Sequence, residues 1–227
     1  MTAGRPLWKY IVTAPLPHDR DQAGRAFAEL SERIAADVEL APLAEVVAEP
    51  AVRSLLDGIF GNSPFLTGLA IRQPARLLRC LSLTVEQHAD WLRQRLWSEL
   101  GDLSAVAPAM KPLREFKTEA ALAIGIADIA GVMPIMAATA ALSTVADDAL
   151  AAAIRVLANR SALAADLLPD DPAAPERSLG YIVIGMGKHG ARELNYSSDI
   201  DLIIFYDLAS ARLAARVEPQ SFYVRLT

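Results

Sequence analysis

Residues 180–207 read G-Y-I-V-I-G-M-G-K-H-G-A-R-E-L-N-Y-S-S-D-I-D-L-I-I-F-Y-D. Tyr181 to Ile184 form a β-branched apolar run that stops at three glycines spaced G-x-G-x-x-G, a pattern typical of a strand that enters a phosphate-sized turn. The segment S-D-I-D at 198–201 then opens a second apolar run, Leu202 to Tyr206. We therefore predict two strands joined by a glycine-rich segment, with two carboxylates at the start of the second strand.

These carboxylates, Asp199 and Asp201, are separated by a single residue. Because side chains alternate along an extended chain, both should project to one side while Ile200 and Leu202 face a core. Two carboxylates held this close repel each other unless a cation lies between them. Mg²⁺ suits the arrangement because it completes its shell with water and substrate phosphates. We predict that Asp199 and Asp201 are metal ligands and catalytic residues.

The glycine turn offers groups that bind phosphate. Backbone amides around Gly185 and Gly187, the charge of Lys188 and the hydroxyls of Ser197 and Ser198 can all contact phosphate oxygens. A phosphate cradle beside metal-binding carboxylates is typical of phosphoryl or nucleotidyl transfer. The sequence therefore predicts a nucleotide site in this segment.

Two other phosphate-binding patterns fit less well. A P-loop requires glycine where Ile182 stands and Ser or Thr where His189 stands. A dinucleotide-binding fold needs a crossover helix after its glycines, but the spacer at 191–198 leaves room for only about two helical turns. That fold would also leave both aspartates without a role, so it remains an alternative only.

The remainder of the chain has the composition of packed helices. Of the 227 residues, 53% are hydrophobic, and the excess is mostly Ala and Leu, enough to bury a large core. The uncharged run Ile129–Ala146 is short for a membrane span, contains Gly131 and Pro134, and has acidic residues on both flanks. We interpret it as a buried helix and predict no membrane association.

Charge and cysteine usage narrow the possible partners and the compartment. A net charge of −5 argues against a nucleic-acid partner. Cys80 is the single cysteine, lies in an apolar context and is predicted to be a buried structural thiol. Together with the lack of a recognisable export signal, it indicates a reducing cytoplasm.

Helix signals dominate residues 1–168. Thr84 and Gln87 form a capping box before an apolar helical face, and Asn62 or Ser63 can cap a helix that begins at Pro64. The chain is predicted to loop through its prolines at 108 and 112, then to form two long helices broken at residue 131. A proline-rich linker follows at 169–177. The predicted class is α+β: a mainly helical N-terminal bundle, then the truncated start of a mixed α/β domain at 178–227, since two strands cannot close a core.

The quoted stretch also resembles known proteins. A glycine turn followed closely by Ser-Asp-hydrophobic-Asp is similar to the signature of the polymerase-β-like nucleotidyltransferases. The fuller string G-M-G-K-H-G-A-R-E-L-N-Y-S-S-D-I-D-L-I resembles the glutamine synthetase adenylyltransferase family, whose members attach AMP to a tyrosine of glutamine synthetase and remove it. Ile59–Leu66 and Leu113–Gly131 resemble the helical region before the first catalytic domain of that family. Departures are Gly187–Ala191, where the family usually has G-K-L-G-G, and Ala127, where it commonly has arginine.

The resemblance implies a fragment of a metal-dependent enzyme in which 178–227 is an incomplete first nucleotidyltransferase domain, the adenylyl-removing copy. Phosphate would attack the AMP phosphorus of adenylylated tyrosine. Asp199 and Asp201 would bind Mg²⁺, and the turn at Gly187 and Lys188 would hold phosphates of ATP or ADP. The implied partners are glutamine synthetase and a PII-type signalling protein. The family's further carboxylate, in a D-x-R-L-R-P context, does not occur before Thr227, so we expect weak nucleotide binding and little turnover from this chain alone.

A second class of function stays open, a regulatory module that senses a nucleotide without catalysis.

Other charged residues are given structural roles. His189 is predicted to pack within the loop, Arg192 to pair with neighbouring charges, and Asp207 to close a turn at the strand end. His18 and His88 have no partners at metal-ligand spacing and are predicted to be surface residues.

Overall fold

The computed structural model describes residues 4–226, and 66% of the structure is helical. The helices are α1 (Arg20–Ala35), α2 (Ala41–Ala48), α3 (Pro50–Asn62), α4 (Pro64–Arg72), α5 (Pro74–Ser82), α6 (Val85–Leu100), α7 (Val106–Ile129), α8 (Ile135–Leu163), α9 (Gly187–Gly190) and α10 (Pro219–Leu226). The strands are β1 (Tyr181–Gly185) and β2 (Leu202–Tyr206), and 3-10 turns lie at Leu7–Tyr10, Val38–Leu40 and Pro175–Ser178. The predicted α+β class, with the helices before the strands, is confirmed.

Local capping signals set two of the helix starts. The Ser63 hydroxyl accepts a hydrogen bond from the Leu66 amide at 3.2 Å. The Thr84 amide donates to Gln87 Oε1, and the Gln87 amide donates to Thr84 Oγ1, both at 3.1 Å. These bonds satisfy amides that the first turn of a helix leaves unpaired. The predicted capping box and the predicted start of α4 are confirmed.

The prediction of a loop through the prolines at 108 and 112 is wrong, because α7 already begins at Val106. Pro108 lies in the first helical turn, where the missing amide is not needed, and Pro112 interrupts a single backbone bond. As predicted, a break at Gly131, with φ +70°, separates α7 from α8. None of the described helices combines the length and the apolar character that a membrane crossing requires.

Two compact units divide the described residues. One comprises 4–91 with 118–141, and the other comprises 92–117 with 142–226. The segment predicted as a linker, 169–177, lies within the second unit. The domain limits at 168 and 178 stay a prediction.

The first unit is held together by apolar faces of short helices. Phe27 and Leu30 of α1 and Phe60 of α3 are buried at the centre, and the rings of Phe27 and Phe60 meet edge to face at 5.4 Å. Leu122 and Ile126 of α7 pack into the same core. The helical spacing of apolar residues in α1 thus has its expected consequence, a buried stripe. Cys80 also lies in this core, as predicted, and burial raises the pKa of its thiol.

A buried ionic cluster lies in the first unit, among α5, the first turns of α6 and the last part of α7. Both oxygens of Glu119, which is fully enclosed, accept hydrogen bonds from Arg79 at 2.7 Å. His88 Nε2 lies 3.0 Å from Glu119 Oε1, and Arg76 Nε lies 3.6 Å from Oε2. The prediction that His88 is a surface residue is therefore wrong, because a carboxylate 31 positions away provides a buried partner that short-range spacing does not reveal.

The second unit contains the strand pair. β1 and β2 are antiparallel, with Tyr181 opposite Tyr206 and Gly185 opposite Leu202. One face packs on Tyr223 of α10, whose ring stacks on that of Tyr206 at 4.1 Å. The Tyr223 hydroxyl donates to the Leu179 carbonyl oxygen at 2.6 Å. This face therefore has an aromatic core that anchors the hairpin to the following helix. The sequence after Pro219 also predicts a helix from Gln220 to Thr227. It is observed from Pro219 to Leu226, and Thr227 lies outside the described residues.

The opposite face of the hairpin is exposed. Its apolar pairs are Ile182 with Phe205 and Ile184 with Ile203. The prediction that Ile200 faces a core is wrong, since its side chain is 39% exposed. The reason is that β2 begins only at Leu202, so the alternation of the strand does not extend back to Ile200.

Candidate functional site

The glycine turn directly follows β1 and remains tied to the segment before β2. The Met186 amide donates to the carbonyl oxygen of Asp201 at 2.8 Å, which continues the strand pairing by one bond. The chain then makes the single turn of α9, in which the Gly190 amide donates to the Met186 carbonyl at 3.0 Å. The strand pairing thus places the turn next to the second predicted carboxylate.

Gly187 brings the turn and the carboxylate together at side-chain level. Its φ is +53°, a left-handed conformation that favours glycine. A Cβ atom added here would lie 3.4 Å from Asp201 Oδ2. The missing side chain therefore leaves the carboxylate oxygen directly beside the backbone of the turn.

The carboxylates of Asp199 and Asp201 are exposed. Across residues 4–226, neither carboxylate forms a hydrogen bond or an ion pair with another side chain, and Lys188, also exposed, has no side-chain partner either. The solvent-facing carboxylate of Asp201 beside a turn without a side chain fits Mg²⁺, an oxygen-seeking cation that needs room for water and phosphate. A cluster of three or more His, Cys, Asp or Glu suited to a metal is absent from the part of the chain that the structure describes.

Ser197 and Ser198 belong to a small turn organised by Asn195. The Ser198 hydroxyl donates to Asn195 Oδ1 at 2.8 Å, and the Ser197 amide donates to the same oxygen at 3.1 Å. The Asn195 amide donates to Ser198 Oγ at 3.3 Å. These bonds hold the approach to Asp199 in a defined conformation, with the Ser198 hydroxyl engaged by its neighbour and Ser197 exposed.

His189 is buried beneath the turn, which confirms the predicted packing role. It is 6% exposed, and its ring lies so close to Gly185 that a Cβ atom there would be 3.0 Å from His189 Nδ1. Its Nε2 lies 2.8 Å from Oδ1 of Asp147, in α8. Arg192 is exposed and pairs with a charge that is distant in the sequence, because its Nη1 donates to Asp147 Oδ2 at 3.2 Å, 45 positions away.

Asp207 closes a turn at the far end of β2, as predicted. Its carboxylate accepts hydrogen bonds from the Ser210 hydroxyl at 2.5 Å and the Ala209 amide at 3.0 Å. The bond from Ser210, followed by that from Ala209, lowers the pKa of Asp207.

The antiparallel pairing of β1 and β2 argues against the dinucleotide-binding alternative, because a crossover helix would make these strands parallel.

The sequence interpretation missed Asp147 and its neighbour Thr144. They lie 42 and 48 positions from their partners His189 and Arg192, and in the sequence they only interrupt an alanine-rich helix. The signal that could have indicated them is the polar pattern S-T-x-x-D at 143–147, which places three polar groups on one side of α8.

The glycine turn thus lies beside an aspartate of the S-D-I-D segment, and these are the two features that carry the resemblance to nucleotidyltransferases. Comparison with known families gives the more specific result. Residues 53–227 match the glutamate-ammonia ligase adenylyltransferase family, and the chain belongs to that family.

Individual relatives agree with this assignment. The chain is 44% identical over 200 residues to the bifunctional glutamine synthetase adenylyltransferase/adenylyl-removing enzyme of Bradyrhizobium sp. strain ORS 278, a match that covers 88% of this chain and 20% of the relative. It is 39% identical over 231 residues to the enzyme of the same name from Xanthobacter autotrophicus, covering 100% of this chain and 23% of the relative. The chain thus spans about a fifth of the length of these relatives. No solved structure matches it.

Proposed function

We propose that this chain contributes the first part of a nucleotide- and metal-binding site that removes AMP from adenylylated glutamine synthetase. The observation that carries the proposal is the position of Asp201 Oδ2 beside the glycine turn at Gly187. A carboxylate next to a turn with free space is what a metal-bound phosphate requires. Family membership supports the substrate class, because the relatives are named for both adenylylation and its reversal.

In the proposed reaction, an oxygen of inorganic phosphate attacks the phosphorus of the AMP group. The bond between this phosphorus and the tyrosine oxygen breaks, and the tyrosine oxygen takes up a proton, giving ADP and unmodified glutamine synthetase. Asp199 and Asp201 would hold Mg²⁺, which supplies positive charge against the charge that develops on the phosphate oxygens. Gly185, Gly187 and Lys188 would position the phosphates of ADP or ATP, with Ser197 and Ser198 shaping the entry.

Two features support the adenylyl-removing direction over the reverse reaction. The helices of the first unit precede the turn, as in the region before the first catalytic domain that the sequence resembles. The sequence Glu193-Leu194-Asn195 also resembles the first, adenylyl-removing domain of the family. We further propose glutamine synthetase and a PII-type signalling protein as partners, and a cytoplasmic location supported by the single buried thiol of Cys80.

Mg²⁺-dependent nucleotide binding tests this function. We expect titration calorimetry of the 227-residue chain to detect binding of ADP or ATP only when Mg²⁺ is present. Asp199→Asn and Asp201→Asn should each weaken this binding by at least about tenfold, because an amide replaces a metal-binding carboxylate. Asp207→Asn is the matched control, an aspartate at the other end of β2 that should leave the binding unchanged.

The alternatives predict different results. Nucleotide binding that does not need Mg²⁺ and survives both substitutions would contradict the metal site and favour a nucleotide-sensing module. NAD binding unaffected by Asp201→Asn would favour the dinucleotide-binding alternative.

A further inference from the structure

One face of α8 contacts the glycine turn and the segment that follows it through three side chains. Ser143 Oγ accepts a hydrogen bond from the Leu194 amide at 3.3 Å, Thr144 Oγ1 lies 2.5 Å from Arg192 Nη2, and Asp147 contacts both His189 and Arg192. We propose that Asp147 is a positioning residue that holds the glycine turn beside Asp201. The consequence for nucleotide binding rests on the proposed function, whereas the holding of the turn does not.

The first side chain that Asp147 contacts is His189. Its ring is 6% exposed and lies against Gly185, so its position affects the entrance of the turn. Nε2 lies 2.8 Å from Asp147 Oδ1, whereas Nδ1 is buried without a hydrogen-bond partner in the described part of the chain. Asp147 therefore makes the one side-chain hydrogen bond, among the residues described, that orients this ring. It favours the tautomer with the proton on Nε2.

The second side chain that Asp147 contacts is Arg192, two residues after the turn ends at Gly190. Its φ is +60°, a left-handed conformation that is unfavourable for a residue with a Cβ atom. Such a conformation persists where surrounding contacts compensate its cost. The guanidinium donates from Nη1 to Asp147 Oδ2 at 3.2 Å and from Nη2 to Thr144. The two oxygens of one carboxylate thus hold the end of the turn at His189 and the segment just after it at Arg192.

The segment proposed to contact phosphate, Gly185 to Lys188, lies immediately before His189. The Glu193 amide donates to the Lys188 carbonyl at 2.7 Å, and the Arg192 amide donates to the His189 carbonyl at 3.0 Å. The Met186 amide on the other side donates to the Asp201 carbonyl. Release of the Asp147 contacts would therefore loosen the turn relative to Asp201.

Loss of the Asp147 contacts should affect the turn and the segment after it, and not the stability of the whole chain. The side chains of Asp147 and Arg192 are 52% and 53% exposed, and such ion pairs contribute little to global stability. The adjacent Asp148 provides a matched control, because it lies on the same helix but pairs with Arg93 of α6 at 3.1 Å. Asp147→Ala and Asp148→Ala thus remove the same group from neighbouring positions with different partners.

Hydrogen–deuterium exchange of the 227-residue chain tests the holding of the turn. We expect Asp147→Ala to speed exchange of the amides at 190–193 by about fivefold or more, since local opening governs their protection. Asp148→Ala should leave these amides unchanged, and the first unit should keep its protection in both variants. Asp147→Asn retains one acceptor oxygen, so it should restore part of the protection.

The second measurement is Mg²⁺–ADP binding by calorimetry. If the chain binds Mg²⁺–ADP, Asp147→Ala should weaken binding severalfold, Asp148→Ala should not, and Asp147→Asn should lie between wild type and Asp147→Ala. Unchanged exchange at 190–193 in Asp147→Ala would overturn the positioning role, even if wild-type binding supports the proposed function. Faster exchange in a chain that never binds Mg²⁺–ADP would uphold the contact of Asp147 with the turn and contradict the proposed function instead.

Discussion

At the scale of single residues, Gly187 and Gly180 lie at opposite ends of the same hairpin and share a left-handed backbone, with φ +53° and +60°. They differ in the space around them. A Cβ atom on Gly187 would make ordinary contact with Asp201 Oδ2, whereas one on Gly180 would overlap the carbonyl oxygen of Asp207. Comparing alanine variants at these two positions therefore separates the cost of backbone strain from the cost of steric overlap.

We predict that Gly187→Ala lowers the free energy of unfolding by about 1 kcal/mol, the cost of the left-handed conformation alone. Gly180→Ala should cost more than about 2 kcal/mol, because overlap adds to the strain. Urea unfolding of both variants measures the difference, and equal losses would show that the space around the two glycines does not matter. Of the two, Gly187→Ala should also weaken Mg²⁺–nucleotide binding, since its methyl group would lie beside Asp201.

Two histidines show how far the burial of a polar side chain can be predicted from the sequence. His189 packs beneath the glycine turn, as predicted, but its hydrogen-bond partner Asp147 comes from α8, 42 positions away. His88 was wrongly predicted to be exposed, because its partner Glu119 comes from another helix. Burial of a polar side chain depends on a partner, and the partner can lie anywhere in the chain.

At the scale of elements, the local sequence determines where the capped helices begin. Thr84 and Gln87 exchange hydrogen bonds at the beginning of α6, an arrangement that needs only residues three positions apart. The hairpin differs, because its antiparallel register depends on residues 181–185 and 202–206 meeting across the glycine turn. The spacing of the sequence favoured two strands, but their direction followed only from the structure.

We predict that Thr84→Ala destabilises the chain by about 1 kcal/mol, because the Gln87 amide loses its acceptor. Thr84→Ser keeps the hydroxyl and should lose less than half of that amount. Thermal or urea unfolding distinguishes the variants. A serine variant as unstable as the alanine variant would mean that the threonine methyl group, and not the cap, carries the contribution.

At the scale of the whole molecule, the buried cluster around Glu119 links stability to pH. Burial raises the pKa of Glu119, but hydrogen bonds from His88 and Arg79 more than offset this and hold the pKa at about 2, below its ordinary value of 4.5. A carboxyl group with a lowered pKa in the folded state stabilises the fold above pH 4.5 and loses this contribution as the pH falls toward 2.

We predict that Glu119 contributes roughly 3 kcal/mol of stability that disappears between about pH 4.5 and pH 2. Glu119→Gln should remove this part of the pH dependence. It should also destabilise the protein by about 3 kcal/mol at neutral pH, because the buried Arg76 and the half-buried Arg79 lose their counterion. Unfolding measured from pH 7 to pH 2 checks both effects.

Glu29→Gln is the matched control for that prediction. Glu29 pairs with Arg33 on the surface, with side chains 52% and 45% exposed, so its loss should change stability by less than about 1 kcal/mol. A wild-type chain and a Glu119→Gln variant with parallel pH profiles would contradict the role assigned to the buried cluster.

The sequence by itself was sufficient for features that depend on short-range spacing. It determined the α+β class, the capped helix starts, the limits of both strands to within one residue and the family, because each is encoded by residues within a few turns or by a contiguous motif. Asp199 and Asp201 were named in the same way, from one segment, and their role as metal ligands stays a prediction.

Only the tertiary structure decided which distant residues meet. It placed Asp201 against Gly187 through strand pairing, buried His88 with Glu119, and brought Asp147 of α8 under the glycine turn. The physical reason is that ion pairs and hydrogen bonds form between neighbours in space. In this chain the decisive partners are separated by 14 to 42 positions, beyond the reach of any helical or strand period.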